Sequence, residues 1–199
     1  MFVDKNLNYG IIGNCRSAAL INSKASIDWC CLPKFDSSSV FAKILDDEKG
    51  GGFWIETKQK FHISQTYLKN TCILSTVFRN EKHEFEVIDF MPRFIKNKGE
   101  FYSPPEIIRI VRPIKGSPEI KFKYDPRLEY AQGETKHVVK KNMIRSRVDS
   151  PKHDSLFLYT NIENIKIIQS NLHKLEETIF FNISYNEKLK TPQLSDCLL

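Results

Sequence analysis

The chain has 199 residues, of which 41% are hydrophobic and 27% charged, the balance of an ordinary globular domain with a sizeable core. Lysine and arginine outnumber aspartate and glutamate by 30 to 24, but the lysines are spread along the chain beside acidic residues, which argues against the concentrated basic face of a nucleic-acid-binding protein. No apolar run approaches the roughly 20 residues of a membrane span, and the N-terminus lacks the pattern of a signal peptide, so we expect neither a nucleic-acid nor a membrane partner.

The first predicted elements form a hairpin. Short apolar runs predict strands at Ala18–Asn22 and Ile27–Leu32, joined by a tight turn. Pro33 ends the second strand because it cannot donate to a strand ladder. Three serines then precede an apolar run that two glycines follow, and this pattern predicts one short helix, or two turns, from about Val40 to Asp46.

The rest of the chain predicts strands bounded by turn residues. Alternation is clear at Ile120, Phe122 and Tyr124, as in a half-buried antiparallel strand, while Ile107–Val111 is apolar on both faces and is expected to be central. The predicted strands are Phe53–Ile55, Tyr67–Leu68, Thr71–Arg79, Glu84–Phe90, Glu106–Arg112, Glu119–Tyr124, His137–Ile144, Asp154–Thr160, Ile165–Ser170 and Glu177–Tyr185. So many short strands predict an all-β, antiparallel β-sandwich over residues 1–185, and the polar composition of residues 186–199 predicts a linker.

The cysteines indicate a reducing compartment. Their number, five, is odd and their spacing is irregular, with no CxxC pair. Adjacent Cys30 and Cys31 point to opposite faces if they lie on a strand, so they are not expected to bond each other. We therefore expect free thiols and a cytoplasmic location. The cysteines and histidines also lack the short paired spacing of structural zinc, so we expect no metal and no cofactor.

Three segments resemble the N-terminal domain of bacterial and archaeal family 15 glycoside hydrolases, which include glucoamylase-type and trehalase-type enzymes. The first covers residues 9–51 and contains the most specific pattern, SIDWCCLPKFDSSS. The second is TYLKNTCILSTVFRNEKHEFEVIDFMPRF, residues 66–94, and the third is EIIRIVRPIKGSPEIKFKYDPRLEYA, residues 106–131. Two positions depart from the family pattern: Lys24–Ala25 replace an Asp-Gly turn, and Lys34 replaces an arginine.

The resemblance implies a large antiparallel supersandwich, followed by a linker and a barrel of paired helices that carries both catalytic carboxylates. We therefore expect a non-catalytic domain that packs on this C-terminal helical barrel and shapes its active-site rim, where α-glucan or trehalose binds. On this interpretation the chain alone is inactive. The alternative is an autonomous carbohydrate-binding module for α-glucans, with Trp54 and Tyr67 as the first candidates for sugar platforms.

The candidate site residues each have a functional and a structural interpretation. Asp28, Trp29 and Asp36 could contact sugar. We favour a structural role for each: Asp28 as a buried hydrogen-bond acceptor, Trp29 as a core residue and Asp36 as a cap of the predicted helix. Arg16 could reach the sugar site or a carboxylate of the barrel, or could pair internally with Asp28 or Asp36, and the sequence leaves these open. We expect Asp89 to pair with Arg93.

The Pro33–Phe41 loop is the predicted docking edge. Lys34 has the positive charge of the arginine that the family has at this position, but a lysine cannot make the two parallel hydrogen bonds of a guanidinium. Phe35 and Phe41 are apolar and follow a strand end, so we expect the isolated chain to form a homo-oligomer or aggregate through this region. The alternative is that both phenyl rings belong to the core.

Overall fold

The structure is a computed structural model that describes residues 7–95, 99–140, 143–151, 153–169 and 171–189. The strands, in chain order, are β1 (Tyr9–Gly13), β2 (Ala18–Asn22), β3 (Ile27–Cys31), β4 (Ser39–Phe41), β5 (Gly52–Thr57), β6 (His62–Tyr67), β7 (Leu74–Arg79), β8 (Glu84–Phe90), β9 (Phe94–Ile95), β10 (Phe101–Tyr102), β11 (Glu106–Lys115), β12 (Glu119–Asp125), β13 (Thr135–Lys140), β14 (Met143–Val148), β15 (Ser155–Thr160), β16 (Leu172–Lys174) and β17 (Ile179–Tyr185). The α-helix of the described part is α1 (Asn164–Ile168).

The strands form two large sheets and a separate hairpin. One sheet has seven strands in the order β1-β2-β3-β5-β12-β16, with β4 paired to β3. The other has eight strands in the order β13-β14-β15-β17-β11-β8-β7-β6, while β9 and β10 pair only with each other. Neighbouring strands are antiparallel, so the predicted all-β sandwich is confirmed.

The main core lies between the two sheets. Ile120, Phe122 and Tyr124 of β12 are buried, as their alternation predicted. Strand β11 is central, between β17 and β8, and it is apolar on both faces. Ile107 and Val111 join the main core, whereas Ile108 and Ile110 pack with Phe180 in a second cluster on the outer face of the eight-stranded sheet. The burial of both faces explains why this stretch does not alternate in sequence.

The prediction of a helix at Val40–Asp46 is wrong, and the alternative of two turns is closer, since residues 43–45 and 47–49 form turns. The first residues of the segment belong to β4, which pairs with β3, and Val40 and Phe41 are both buried. The N–H groups of Ala42 and Lys43 donate to the carbonyls of Gly50 and Gly51 at 2.8 and 3.1 Å. The glycines therefore close a turn-rich loop onto the end of β4 instead of ending a helix.

Two of the predicted strands are also wrong. Ile165–Ser170 was predicted as a strand, but Asn164–Ile168 forms the one-turn helix α1, and Ile167 is fully buried in the main core. The apolar residues of this stretch follow a helical spacing as well as a strand spacing, and a five-residue run does not distinguish the two. His137–Ile144 is also not one strand, because the chain reverses inside it to form the β13–β14 hairpin.

A fully buried ion pair connects the two sheets. Asp89 on β8 and Arg109 on β11 face the core with no exposed surface, and Arg109 Nε and Nη2 donate to the two carboxylate oxygens of Asp89 at 2.7 and 3.1 Å. The guanidinium also donates to the carbonyls of Phe53, at 2.9 Å, and Ala25, at 2.8 Å, both in the seven-stranded sheet or its turns. The expected partner of Asp89, Arg93, instead lies over the ring of Phe101.

This arrangement satisfies most of the polar groups that it buries. Four hydrogen bonds engage four of the five N–H groups of the guanidinium, and the centre of the Phe53 ring lies 4.7 Å from its central carbon. Burial raises the pKa of the Asp89 carboxyl, and the adjoining Arg109 guanidinium opposes that rise. A buried pair of this kind adds little net stability, but removing one partner leaves the other as an uncompensated buried charge.

Asp89→Ala should therefore lower the free energy of unfolding by about 3–5 kcal/mol, because Arg109 loses its counter-ion in the core. Urea unfolding followed by circular dichroism measures the change. Asp149→Ala is the matched control, since Asp149 pairs with Lys136 on the surface and its loss should leave the unfolding midpoint almost unchanged. Equal effects of the two changes would contradict the structural role of the buried pair.

Candidate domain-docking cleft

Asn14 joins three parts of the chain at one end of the sandwich. It lies in the turn between β1 and β2 and is 1% exposed. Its Nδ2 donates to the carbonyls of Pro104 and Pro92 at 2.8 and 3.2 Å, and its Oδ1 accepts from the backbone N–H groups of Arg16 and Ser17. The chain after β8 and the chain before β11 are thereby held against the β1–β2 turn.

The same three parts, with the β6–β7 turn, β17 and the chain that follows it, enclose an open cleft of about 970 Å³, which we call the docking cleft. Its wall is largely apolar and includes Phe90, Phe94, Ile95, Phe101, Ile108 and Leu189. Phe94, Ile95 and Phe101 are 51%, 65% and 59% exposed. A cluster of large exposed apolar side chains on a domain marks a surface that another molecule or domain covers.

The exposed rings belong to the β9–β10 hairpin. Phe94 contacts Tyr102 across the hairpin with ring centroids 5.2 Å apart, and Arg93 lies 4.0 Å above the ring of Phe101. A two-stranded hairpin is marginally stable by itself, so this one depends on the contacts that Asn14 makes on either side of it.

The floor of the cleft is polar and acidic. Glu106, at the start of β11, is 8% exposed, and Asn182 Nδ2 on β17 donates to its Oε2 at 3.1 Å. Burial raises the pKa of Glu106, the hydrogen bond from Asn182 opposes that rise, and the nearby carboxylate of Glu187 adds to it. The floor thus combines a desolvated carboxyl with an amide beneath apolar walls.

Asp28 is a buried acceptor, as the favoured interpretation held. Its carboxylate accepts hydrogen bonds from Asn22 Nδ2 at 2.8 Å, from Tyr9 at 3.1 Å and from Ser26. Burial, with the charge of Asp28, raises the pKa of Tyr9 to about 12. Asp28 therefore orders the β2–β3 hairpin from inside the domain.

Trp29 is not a core residue, which corrects the favoured interpretation. It is half-buried at the edge of the fold, and its ring centroid lies 6.3 Å from that of Tyr130, which is itself 47% exposed. Tyr130 stands in a left-handed turn with Glu129 and Ala131, all three with φ near +55°. This conformation costs L-residues energy, so the surrounding contacts fix the position of the aromatic pair.

The predicted docking loop divides into a surface part and a core part. Lys34, Phe35 and Asp36 are exposed, whereas Phe41 is fully buried in the main core. The prediction that Phe35 and Phe41 share one surface is therefore wrong. Asp36 also caps no helix, because none follows it.

Arg16 connects this loop to the cleft. Its Nη1 donates to the carbonyl of Ser103 at 3.3 Å, and its own carbonyl accepts from the N–H of Phe35 at 3.2 Å. In the described part of the chain, Arg16 forms no ion pair with Asp28 or Asp36, so the proposed internal pair does not form, and Asp28 accepts from Tyr9, Asn22 and Ser26 instead. We call Arg16, Lys34, Phe35 and Asp36 the docking rim, since Arg16 joins Phe35 to Ser103, whose neighbours Tyr102 and Pro104 line the docking cleft.

The aromatic residues proposed for an independent sugar-binding module do not share a groove. Trp54 lies on β5 of the seven-stranded sheet, where Lys43 stands 4.0 Å above its ring. Tyr67 ends β6 of the other sheet, and its hydroxyl is engaged by the backbone of Ile11.

The described part of the chain shows neither a disulfide nor a metal site. Cys15, Cys30, Cys31 and Cys72 are free, and burial raises the pKa of Cys30 and Cys31. Within the described ranges, no group of three or more His, Cys, Asp or Glu residues could hold a metal ion. No helix there is long and apolar enough to cross a membrane.

The fold and the cleft define a β-sandwich domain with a surface suited to packing. The sequence profile of the family described as trehalase-like, N-terminal matches residues 7–178, and the chain belongs to this family. It is 34% identical over 179 residues to a trehalase of Thermoplasma volcanium, which covers 88% of this chain and 26% of that protein.

Other relatives match over shorter stretches. Trehalase 1 of Sulfolobus acidocaldarius is 36% identical over 61% of this chain and 19% of its own length, and Trehalase 2 of the same organism is 41% identical over 52% of this chain and 16% of its own length. The chain thus spans about a quarter or less of these relatives. No solved structure matches it significantly.

Asn14→Ala should destabilise the fold by about 2 kcal/mol or more, because buried carbonyl and N–H groups lose their partners. Thermal unfolding measures the loss, and limited proteolysis should show earlier cleavage in the β9–β10 hairpin. Asn80→Ala is the control, since Asn80 makes four similar hydrogen bonds in a more exposed turn. If both variants have the same melting temperature and the hairpin is cleaved no faster than in the wild type, Asn14 does not stabilise the cleft.

Proposed function

We propose that this chain is the non-catalytic N-terminal domain of a trehalase-type glycoside hydrolase of family 15, and that it packs through its docking cleft on the catalytic part. The observation that carries this proposal is the exposure of Phe94, Ile95 and Phe101 at the cleft that residues of all three family-like segments line. The chain also spans about a quarter of its Thermoplasma volcanium relative, which leaves ample polypeptide to cover that surface.

The chemistry belongs to the C-terminal helical barrel. Inverting hydrolysis uses one carboxylic acid to protonate the leaving oxygen and one carboxylate to activate water, at a separation of about 6.5–9.5 Å. In the family that this chain resembles, both groups lie in the barrel. The role of this domain is to position the barrel and to complete the rim of its pocket.

The substrate is proposed to be trehalose, in preference to starch-type α-glucans, because the relatives are trehalases. The half-buried pair of Trp29 and Tyr130, beside the docking rim, supports a contact with sugar at the shared edge. We also propose a cytoplasmic location, supported by the exposed free thiols of Cys15 and Cys72.

The purified chain should release no glucose from trehalose, maltose or starch, since the acid and base of the reaction lie outside it. A coupled glucose assay over several hours measures this. Asp36→Asn and Asp28→Asn serve as controls for contamination. Turnover by the chain that disappears in either variant would show a catalytic carboxylate here and would contradict the proposal.

The isolated chain should self-associate through the docking cleft, because that surface is apolar and uncovered. Phe94→Ser with Phe101→Ser should shift the protein toward monomer in sedimentation velocity, with little change in melting temperature. Ile114→Ser is the control, since Ile114 is 51% exposed outside the cleft.

The same experiment separates the cleft from the docking rim. Phe35→Ser tests the rim alone, and association that depends on Phe35 but not on Phe94 and Phe101 would move the interface to the rim. Wild-type protein that is monomeric at every concentration would contradict the exposed cleft as an association surface.

A further inference from the structure

The geometry points to a specific socket in the floor of the docking cleft that receives a basic side chain from the catalytic part. Glu106 and Asn182 line the cleft there, and the fully buried Ser184 lies beside them. This inference rests on the proposed function, since it names what the packing partner inserts. Its three residues come from two adjacent strands: β11 and β17 are paired so that Glu106 stands opposite Ser184. Asn182 and Ser184 are two residues apart and so lie on the same face of β17.

The socket contains hydrogen-bonding atoms that the described chain does not satisfy. Among the described residues, Asn182 Oδ1 and Ser184 Oγ are buried without a hydrogen-bond partner. Asn182 is 5% exposed and Ser184 fully buried, and Asn182 and Glu106 both line the cleft. Buried polar atoms without partners cost free energy, so their retention calls for a ligand that pairs with them.

The orientation of Asn182 determines which kind of ligand fits. The amide directs its Nδ2 at Glu106, because an ionised carboxylate can only accept hydrogen bonds. Asn182 Oδ1 therefore remains as a second acceptor beside the carboxylate, and the hydroxyl of Ser184 can accept as well. A group of acceptors matches a ligand that only donates, which is the property of a guanidinium or an ammonium group.

The carboxylates beside the floor favour the same ligand, whereas Arg93, a cation that also lines the cleft, lies over the ring of Phe101 in the wall. Glu187 lies close enough to Glu106 for the two carboxylates to repel each other. The apolar walls of the cleft suit the methylene stem of arginine or lysine, which buries its carbon chain while the charged end finds acceptors. A basic residue of the catalytic part would pair with the acceptors in the floor, and its apolar neighbours would pack against the walls.

The test uses the whole 199-residue chain with small probes that carry the proposed chemistry. Hexylguanidinium and hexylammonium chloride are titrated into ¹⁵N-labelled protein, with hexanol as the neutral probe of equal length and trehalose as a sugar. The cations should bind saturably and shift the side-chain amide resonances of Asn182. Hexanol should bind at least about tenfold more weakly, since it lacks the charge-assisted hydrogen bonds.

Variants locate the binding. Glu106→Gln removes the charge but keeps an acceptor for Asn182, and it should weaken binding of hexylguanidinium by about tenfold or more. Glu119→Gln is the matched control, because it removes the same charge from an exposed site on the other sheet. If Glu106→Gln fails to fold, the Asn182 amide shifts of the wild type still decide the question.

Four results would overturn the socket. Equal affinity for hexanol and the cations would show an apolar cleft without charge recognition. Equal loss in Glu106→Gln and Glu119→Gln would show attraction by net charge alone. Binding of trehalose in place of the cations, with shifts at Asn182, would show a sugar site. If the cations do not bind while Phe94 and Phe101 still govern self-association, the socket is wrong and the proposed packing surface stands.

Discussion

The ion pair between Arg109 and Asp89 sets the relation of the two sheets. Both residues belong to the eight-stranded sheet, yet the guanidinium reaches across the core to the carbonyls of Ala25 and Phe53. Ala25 has a left-handed backbone, with φ at 58°, at the turn where the related family commonly has Asp-Gly. The strained turn is thus held in part by a hydrogen bond from the opposite sheet. Because Arg109 has no freedom in the core, the distance and register between the sheets are fixed at this point.

The placement of the cleft follows from that register. The β1–β2 turn belongs to one sheet, and the chain segments on either side of the β9–β10 hairpin belong to the other. Asn14 can bind the carbonyls of both Pro92 and Pro104 only when the sheets are correctly aligned. The buried pair therefore supports the fold directly and the packing surface indirectly, through the position of Asn14. Stability and interface are coupled in this domain, since the buried pair and the cleft residues Phe90 and Ile108 lie on opposite faces of the same two strands.

Much of the fold could be predicted from local patterns, and the failures have physical causes. The β2–β3 hairpin and the central position of β11 followed from apolar runs and turn residues. Local sequence does not distinguish a helix from a turn-rich loop after Ser39, because serine and glycine can bound either one. The pairing of β4 with β3, a long-range contact, selects the loop. Asp89 was assigned to Arg93, its neighbour in sequence, whereas its partner lies on the adjacent strand.

The order of strands has a consequence for biosynthesis. Strand β17 is the last of the described strands, yet it lies inside the eight-stranded sheet, between β11 and β15. Until β17 is synthesised, strands β13 to β15 are not hydrogen-bonded to the other four strands of that sheet. Phe53 also lacks its contact across the core with Phe181 of β17. The domain consequently cannot close progressively from its N-terminus as the ribosome proceeds. Sandwiches with such distant pairings fold slowly, and this one must wait for residue 185 before its core can be completed.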